Sequence, residues 1–562
     1  MFIRINKTPN SPRKSIQIVE SIRCGKKVTQ KIIRYVGVAM DEAEEQKLKA
    51  LAQDYMVKLR VEREQGLPPT RVMVRPVIKL TPTIKKTRGR PPRKRLEAVV
   101  SPTEVRLKEV EEEARIIEGV HDVAGVMFDE LYEGLLKSQR SMKLLKDLVL
   151  TRLVYPASKH RSQQVLENQF GKRHSLDTIY RLMDSLFPRI EAIKQHTFRK
   201  THALFPDKID VLFFDVTTLY FESVEVDSLR NFGYSKDCRF NTTQVVLALA
   251  TNEVGLPIGY ELFEGNRAEV TTLTLAIESW KTSFEVGSVC WVGDRGMFTA
   301  KNVTFLEEQG YQYIIAAKLR KLPKSVQMPL FEALNYRPTQ LNQSLAWVAE
   351  FPYQQARLIV SYKSARALKD QHDRQRVLDK IQKTLGKNKK GNPHRFITNA
   401  GVKKFVTQDE QATLKVDEAK ISHDASWDGL HGIISNIQET SAETLLARYA
   451  QLWVIEESFR LNKHTLQIRP IFHWKPERIH SHIALCYMAF SVLRHLQYRV
   501  NLTQKLSVDT ILNELLNVQA SIHRHKHTND RYRVPGYFTK QAQKIYKAFG
   551  LDRSLDACLY GG

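Results

Sequence analysis

The stretch VLFFDVTTLYF, residues 211–221, places one aspartate, Asp215, inside an apolar run that is typical of a buried β-strand. Burying a carboxylate costs free energy unless it is paired or binds a metal, so this position favours a ligand over a core residue. A second apolar run, VCWVGDRGMF, carries Asp294 directly after its strand-like part. The alternative for Asp294 is a turn residue that pairs with Arg295. Two aspartates on two such strands predict a carboxylate site on one sheet.

A third carboxylate lies far downstream, in the string RYAQLWVIEESFRLNK. It contains Tyr449, Glu456 and Lys463, each seven residues from the next. At 100° per residue, seven residues return a helix to within about 20° of its starting angle, so we expect the three side chains on one helix face. Glu457 lies about 100° away, and the register therefore selects Glu456. The alternative is that either glutamate is a surface charge paired with Arg460.

These strings resemble the catalytic region of DDE transposases of bacterial insertion sequences, in the group with a Tyr-x2-Arg-x3-Glu-x6-Lys signature. Tyr449, Glu456 and Lys463 match three of its four positions, and Leu452 stands where the arginine belongs. The strings FGYSKD, LPIGYELFEGN, GDRGMF and RPIFHWKPERIHSHI are also similar to that group. The resemblance runs from Met1 almost to the C-terminus.

The resemblance implies an α/β fold: an RNase H-like catalytic core with a β-rich insertion, preceded by a helical DNA-binding region and a small N-terminal β segment. After Asp207 the pattern itself predicts three strands, a helix, a strand, a helix and a strand, the order that such a core requires. The long separation of Asp294 from Glu456 leaves room for the insertion. We expect a β segment at 1–40, a helix and basic arm at 41–103, a helical DNA-binding region at 104–205, the first part of the core at 206–321, the insertion at 322–435, the second part of the core at 436–500 and a C-terminal helical region at 501–562.

The resemblance also implies the chemistry. A DDE transposase cleaves DNA at the ends of its insertion sequence and transfers the freed 3′-hydroxyl to target DNA. Two Mg²⁺ ions, for which Mn²⁺ substitutes, activate the attacking oxygen and neutralise the leaving oxygen. Asp215 would bind both ions, Asp294 one and Glu456 the other, and carboxylate oxygens are the ligands that Mg²⁺ prefers.

Four residues near the glutamate are candidates for DNA binding. In the family, the tyrosine and lysine positions contact phosphates near the scissile bond, which suits the hydroxyl of Tyr449 and the ammonium of Lys463. The alternative is an ordinary helix tyrosine and a solvated lysine. Leu452 cannot make the contact of the family's arginine, so either Arg448 covers that phosphate or the contact is absent. Arg460 is the fourth candidate.

The charge of the chain favours a polyanionic partner. The sequence has 87 Lys and Arg residues against 61 Asp and Glu residues, a net charge of +26. Neutralising phosphates releases counterions, which makes DNA binding by such a chain steeply salt-dependent. A basic ribosomal or membrane-surface protein would share this excess, so the charge alone does not decide for double-stranded DNA.

One segment concentrates the charge. Between Arg71 and Arg95 there are ten basic residues, no acidic ones and several prolines, a composition that favours a linker or arm. Within it, Arg88 and Arg90 belong to the string RGRP, which resembles an AT-hook that enters the minor groove. The alternative is a solvated basic linker. The helical region at 104–205 is a candidate to bind the DNA ends of the insertion sequence. The alternative is a role in dimerisation or packing.

Three aromatic residues give weaker signals. Trp347, in the expected insertion, is a candidate for stacking on a flipped base, with core packing as the alternative. His473 and Trp474 are candidates to face DNA near the end of the glutamate helix, with packing as the more usual role. None of the three enters the expected catalytic set.

The remaining signals concern the cell compartment and assembly. Five scattered cysteines show no metal-ligand spacing, which predicts neither zinc nor a disulfide framework and fits a reducing cytoplasm. No signal peptide is visible, and the apolar string IALCYMAFSVL is too short to span a bilayer, so it predicts a buried helix. We expect a cytoplasmic, nucleoid-associated protein. Bringing two element ends together predicts a homodimer or a higher assembly.

Two rival functions stay open on the sequence. A catalytically decayed copy would act as a DNA-binding protein or repressor, and Leu452 is the departure that favours it. An RNase H-like nuclease would cleave DNA without strand transfer.

Overall fold

The computed structural model describes most of the chain in segments. They are 2–7, 14–24, 27–39, several positions between 42 and 56, 107–205, 211–221, 225–233, 242–283, 290–293, 299–341, 344–387, 404–408 and 414–560. The chain divides into two compact units, Met1–Val99 and Val100–Gly562. Asp294, Arg88 and Arg90 lie outside the described residues.

The first unit contains a three-stranded antiparallel sheet, as the alternating sequence predicts. Its strands pair in the order β1-β2-β3. They are β1 Phe2–Lys7, β2 Lys14–Cys24 and β3 Lys27–Ala39. Ile16, Ile18 and Ala39 are fully buried and pack with Ala52, which lies among helical positions after the sheet. The basic arm with the RGRP string lies outside the described residues.

The second unit begins with a strand and then helices. Three of the helices start at serines, Ser138, Ser158 and Ser175, whose hydroxyls accept a hydrogen bond from a backbone N–H of the first turn. The elements are β4 Val110–Ile117, α1 Gly125–Tyr132, α2 Gln139–Val154, α3 Lys159–Phe170, α4 Leu176–Leu186 and α5 Ile190–Ala203. The expectation of a helical region throughout is wrong for β4, whose pairing partner lies near the C-terminus.

The segment from β5 to β9 has the predicted order of three strands, helix, strand, helix and strand, and it is called the core below. Its elements are β5 Val211–Tyr220, β6 Gln244–Thr251, β7 Pro257–Glu264, α6 Glu269–Ser283, β8 Cys290–Gly293, α7 Ala300–Glu308 and β9 Gln312–Ala316. β5, β6 and β7 form an antiparallel meander, whereas β5 pairs in parallel with β8 and β8 with β9. This arrangement is that of an RNase H-like sheet, and the expected fold class is confirmed.

The insertion extends the same sheet. Its elements are α8 Lys324–Gln327, β10 Arg337–Leu341, β11 Ser344–Tyr353, β12 Ala356–Tyr362, α9 Ser364–Lys387, β13 Val406–Gln408, β14 Leu414–Val416, α10 Glu418–Ala425 and β15 Leu430–Ser435. β15 pairs with β9 of the core, which gives the nine-stranded order β10-β11-β12-β15-β9-β8-β5-β6-β7. The β-rich insertion is therefore bonded edge to edge with the core sheet.

The last part of the chain closes the unit with helices and a second sheet. Its elements are α11 Ala442–Ala450, α12 Trp453–Arg460, α13 Pro476–Asn501, α14 Val508–Asn517, β16 Gln519–His525, β17 Arg531–Pro535, α15 Lys540–Lys547 and β18 Cys558–Leu559. The expectation of a helical C-terminal region is wrong in part, because three strands form a sheet in the order β18-β17-β16-β4. The partner of β16 is β4, too distant in sequence for a local pattern to indicate.

The core of the second unit is centred on α13. The predicted buried string, residues 483–493, is buried at every position. α13 packs against α2, α4 and α5 and against β7. The helical region and one face of the core sheet thus share a single hydrophobic cluster.

Within the helical region, Asp147 holds three segments together. Its carboxylate, which is 1% exposed, receives hydrogen bonds from His121 at 3.1 Å and His174 at 2.8 Å and pairs with Lys172 at 3.0 Å. Burial raises the pKa of Asp147, but these hydrogen bonds and the Lys172 charge outweigh burial, so the pKa lies below its usual range.

We expect Asp147→Asn to lower the free energy of unfolding by about 3 kcal/mol, because breaking one side of a buried ion-pair cluster leaves its partners uncompensated. The contribution of Asp147 to the free energy of unfolding should be present above about pH 4. It should disappear as the pH falls through the lower pKa of Asp147 in the folded state. Urea unfolding followed by circular dichroism measures both effects. Asp552→Asn, at an exposed aspartate with no ion pair to any described residue, is the control.

Candidate active site

Asp215 lies on the face of β5 that the glutamate helix covers. Phe213 and Leu219, which alternate with it along the strand, belong to the cluster around α13, whereas Phe214 and Val216 face the cluster under α6 and α7. The Asp215 side chain is half-buried, and its Oδ1 accepts a hydrogen bond from the backbone N–H of Val216 at 2.7 Å. A carboxylate is thereby held on an otherwise apolar strand face.

Glu456 lies on α12, which packs directly against β5 and β6. Ile455 and Phe459 of this helix are buried in the same cluster as Phe213, whereas Glu456 is exposed. No described residue forms an ion pair with Glu456. The helix therefore brings a solvent-accessible carboxylate to the side of the sheet that carries Asp215.

Glu457 has different surroundings. Its carboxylate lies 3.7 Å from the buried guanidinium of Arg494 and 3.5 Å from that of Arg460. The surface pairing that the sequence left open for either glutamate thus involves Glu457. Because Glu456 keeps its oxygens available, it is the better candidate for a metal ligand.

Asp294 lies outside the described residues, so the structure does not place the third carboxylate. The residue before it, Gly293, ends β8 and pairs in parallel register with Phe214, the neighbour of Asp215. Cys290 and Val292 of β8 belong to the same cluster as Phe213. The described part of β8 therefore leads toward Asp215.

The signature segment is not one continuous α-helix. α11 ends at Ala450, and the backbone N–H groups of Leu452, Val454 and Ile455 bond to carbonyls three residues earlier. After α12, a π-helical turn spans Leu461–Thr465. Since a 3₁₀ turn advances about 120° per residue, the 100° register predicted from Tyr449 to Glu456 does not hold across the joint between α11 and α12.

Tyr449 faces the insertion. Its half-buried ring lies 5.3 Å from that of His431 on β15, and burial lowers the pKa of His431 to about 4. Tyr449 also lines a cleft of about 960 Å³. Cationic side chains from several elements share this cleft, namely Lys318, Arg320, Lys321, Arg366, Arg374 and Lys404. Asp424 and Asp428 neutralise part of this charge, as in the pair of Arg374 with Asp428 at 2.6 Å.

Residues 206–492 match the family model of the Transposase DDE domain. The chain belongs to this family. No curated protein matches the chain. The matched range includes Asp215, Asp294 and Glu456, and it extends through the insertion to the middle of α13. No helix in the described parts of the transposase is long and apolar enough to cross a membrane.

The family implies divalent metal ions, and the donor chemistry of the transposase fits them in part. Asp215 and Glu456 supply carboxylate oxygens on packed elements, the donor type that Mg²⁺ prefers. Among the described residues, no group of three or more His, Cys, Asp or Glu side chains could hold a metal ion. Asp294, the third expected carboxylate, lies outside the described residues.

The segment after α12 is attached to the end of β5 and to the helical region. The guanidinium of Arg469 lies 4.5 Å from the ring centre of Tyr220, and that of Arg230 lies 5.8 Å from the ring centre of Trp474. Arg152 of α2 donates a hydrogen bond to the backbone oxygen of Gln467 at 2.5 Å. These contacts, which the sequence did not indicate, hold the chain directly after Lys463.

The three aromatic residues that the sequence offered as candidates for DNA contact differ in burial. His473 is buried, and burial lowers its pKa to about 3, so packing describes it best. Trp474 is 61% exposed and Trp347 is 40% exposed, which leaves both rings accessible. Trp347 also lines an apolar hollow with Tyr336 and Phe331, and stacking of a base on it stays a prediction.

Leu452 has a structural role at the position where the signature group has arginine. Its half-buried side chain packs against the main hydrophobic cluster at the joint between α11 and α12. We expect Leu452→Arg to lower the free energy of unfolding by about 1 kcal/mol, since part of a leucine's burial is removed. Thermal unfolding measures this. Leu502→Arg, at a leucine that is 68% exposed, should leave stability unchanged, and equal losses of stability in both variants would contradict a packing role for Leu452.

Proposed function

We propose that the chain is a DNA transposase that cleaves phosphodiester bonds at the ends of an insertion sequence and joins the freed 3′-hydroxyl to target DNA. The observation that carries the proposal is the packing of α12, with exposed Glu456, against the strand that carries Asp215, within the range that matches the Transposase DDE domain. Its substrate is double-stranded DNA, and pairing of two element ends requires a dimer or a higher assembly. A cytoplasmic, nucleoid-associated location follows from that substrate.

Asp215, Asp294 and Glu456 form the proposed catalytic set. Strand alternation supports Asp294, because Cys290 and Val292 share a cluster with Phe213 and the next residue in that alternation is Asp294. Bound Mg²⁺ or Mn²⁺ ions would supply Lewis acidity and a lowered pKa for the attacking water. The three carboxylates would hold these ions next to the scissile phosphate.

The proposed DNA contacts surround α12. Tyr449 offers a phenolic O–H, and Lys463, in the π-helical turn, offers an ammonium to phosphate oxygens. Arg448 and Arg460 lie on the same segment at partly and largely exposed positions, which lets their guanidinium groups reach a backbone. The packing of half-buried Leu452 against the hydrophobic cluster supports Arg448 as the cation that serves in place of the signature arginine.

We expect Asp215→Ala, Asp294→Ala and Glu456→Ala each to abolish cleavage and to leave DNA affinity within about threefold, because metal ligands act on the reaction more than on the many phosphate contacts. Cleavage of DNA with the element's ends, in Mg²⁺, Mn²⁺ or EDTA, measures the first effect, and a binding titration measures the second. Glu439→Ala, at an exposed glutamate with no ion pair to described residues, is the control. A fully active Glu456→Ala enzyme would refute the assignment of the third carboxylate.

A pre-cleaved end with a free 3′-hydroxyl separates the proposal from its rivals. A transposase inserts this end into target DNA, whereas a nuclease without strand transfer cannot. Tight binding of the ends without cleavage in either metal would instead favour the decayed, DNA-binding function.

Deleting Arg71 to Arg95 tests the proposed minor-groove arm with Arg88 and Arg90. We expect weaker binding and a log–log salt dependence that is less steep by about 0.9 for each phosphate that the protein no longer neutralises. Fluorescence anisotropy at several salt concentrations measures the slope. A version in which the ten basic residues become glutamine keeps the length and isolates the charge, and an unchanged slope would mean that the arm does not touch DNA.

A further inference from the structure

Arg494 of α13 is a buried cation that joins three elements near the active site. Its Nε donates to the backbone oxygen of Gly255 at 2.9 Å, and its Nη2 donates to that of Val254 at 3.1 Å. Its Nη1 donates to Gln497 at 2.8 Å and lies 3.7 Å from Glu457. The fork of one guanidinium thus connects the turn between β6 and β7 with α12.

The turn between β6 and β7 is shaped for this contact. Gly255 has φ +79°, and a Cβ atom on it would lie 1.9 Å from Nη2 of Arg494 and 2.9 Å from Cγ1 of Val454 on α12. The turn closes on itself, because Asn252 accepts hydrogen bonds from the backbone N–H groups of Gly255 and Leu256. Only a glycine fits where the backbone, the guanidinium and α12 meet.

Glu457 is the one carboxylate among the described residues that pairs with Arg494. Its other partner, Arg460, lies on the same helix and is mostly exposed, so that pair cannot fix the helix against the sheet. The pair with Arg494 can fix α12 against the sheet, because the guanidinium belongs to α13 and bonds to the turn between β6 and β7.

We propose that Glu457 is a positioning residue: through Arg494 it sets how α12 lies on the sheet and thereby where Glu456 lies relative to Asp215. The inference rests on the proposed function for the role of Glu456. Glu457 itself touches no metal or DNA in this scheme. Removing a group that orients a metal ligand weakens metal affinity about 10–100-fold.

The test compares Glu457→Gln, Arg494→Lys and the double variant by two measurements. The first is the Mg²⁺ concentration that gives half-maximal cleavage, which we expect to rise about tenfold in each single variant while the maximal rate changes little. Lysine cannot reproduce the fork of arginine, so it should not bond to the turn and to Glu457 at the same time. The double variant should be no worse than the worse single one, because both break one linkage.

The second measurement, hydrogen exchange of the amides in residues 453–460 without DNA or metal, is independent of activity. We expect exchange about fivefold faster in Glu457→Gln than in wild type. Glu439→Gln should leave both measurements unchanged. Glu457→Gln keeps the test valid if Arg494→Lys fails to fold.

Three outcomes overturn the inference. Unchanged exchange in Glu457→Gln would show that the pair does not hold α12. Additive effects in the double variant would show that the two residues act separately. Loss of cleavage in Glu457→Gln at every Mg²⁺ concentration would make Glu457 a ligand. If wild type does not cleave at all, the proposed function fails, and the exchange data still decide whether Glu457 and Arg494 position the helix.

Discussion

The packing of α12 and α13 against one face of the core sheet is the constraint on which the site depends. β5 is buried on both faces, so its register is fixed by apolar side chains on either side, and Asp215 has no freedom to move along the strand. α12 meets the same face through Ile455 and Phe459. Because the interior is close-packed, the separation of the two carboxylates is set by the fit of these apolar groups.

Much of the fold could be predicted from the sequence where the determining residues are close together in the chain. Apolar runs indicated β5 to β9 in the correct order, and the string around Glu456 indicated a helix next to them. The interruption of the helix at Leu452 was not predicted, because a 100° register assumes a continuous α-helix. The string contains no sequence signal for 3₁₀ hydrogen bonds. The selection of Glu456 over Glu457 stays a prediction. The pairing of Glu457 with Arg494, which bears on that selection, is a contact between two helices that the local sequence does not indicate.

Pairings between strands that are distant in sequence account for the other differences between the structure and the sequence-based predictions. The acidic string of β4 contains Glu111, Glu112 and Glu113 and looks unlike a strand until its partner is known. Arg524 and Arg531, on β16 and β17, pair with Glu111 and Glu113. These ion pairs contribute to the pairing of an acidic segment whose own β-propensity is poor. The insertion joins the core sheet by the same kind of backbone pairing, and sequence patterns do not show which edge a strand will choose.

The pairing of β4 with β16 also has a consequence for synthesis of the protein. The ribosome makes β4 roughly 400 residues before its partner, and at about 5–20 residues per second the interval is about 20–80 s. During that time Ile116, which is buried in the finished sheet beside Ala520 and Ile522, has no partner strand to cover it. The unit that holds the active site therefore cannot complete its fold until translation has nearly ended, and a chain that stops early leaves this edge open for association with other chains.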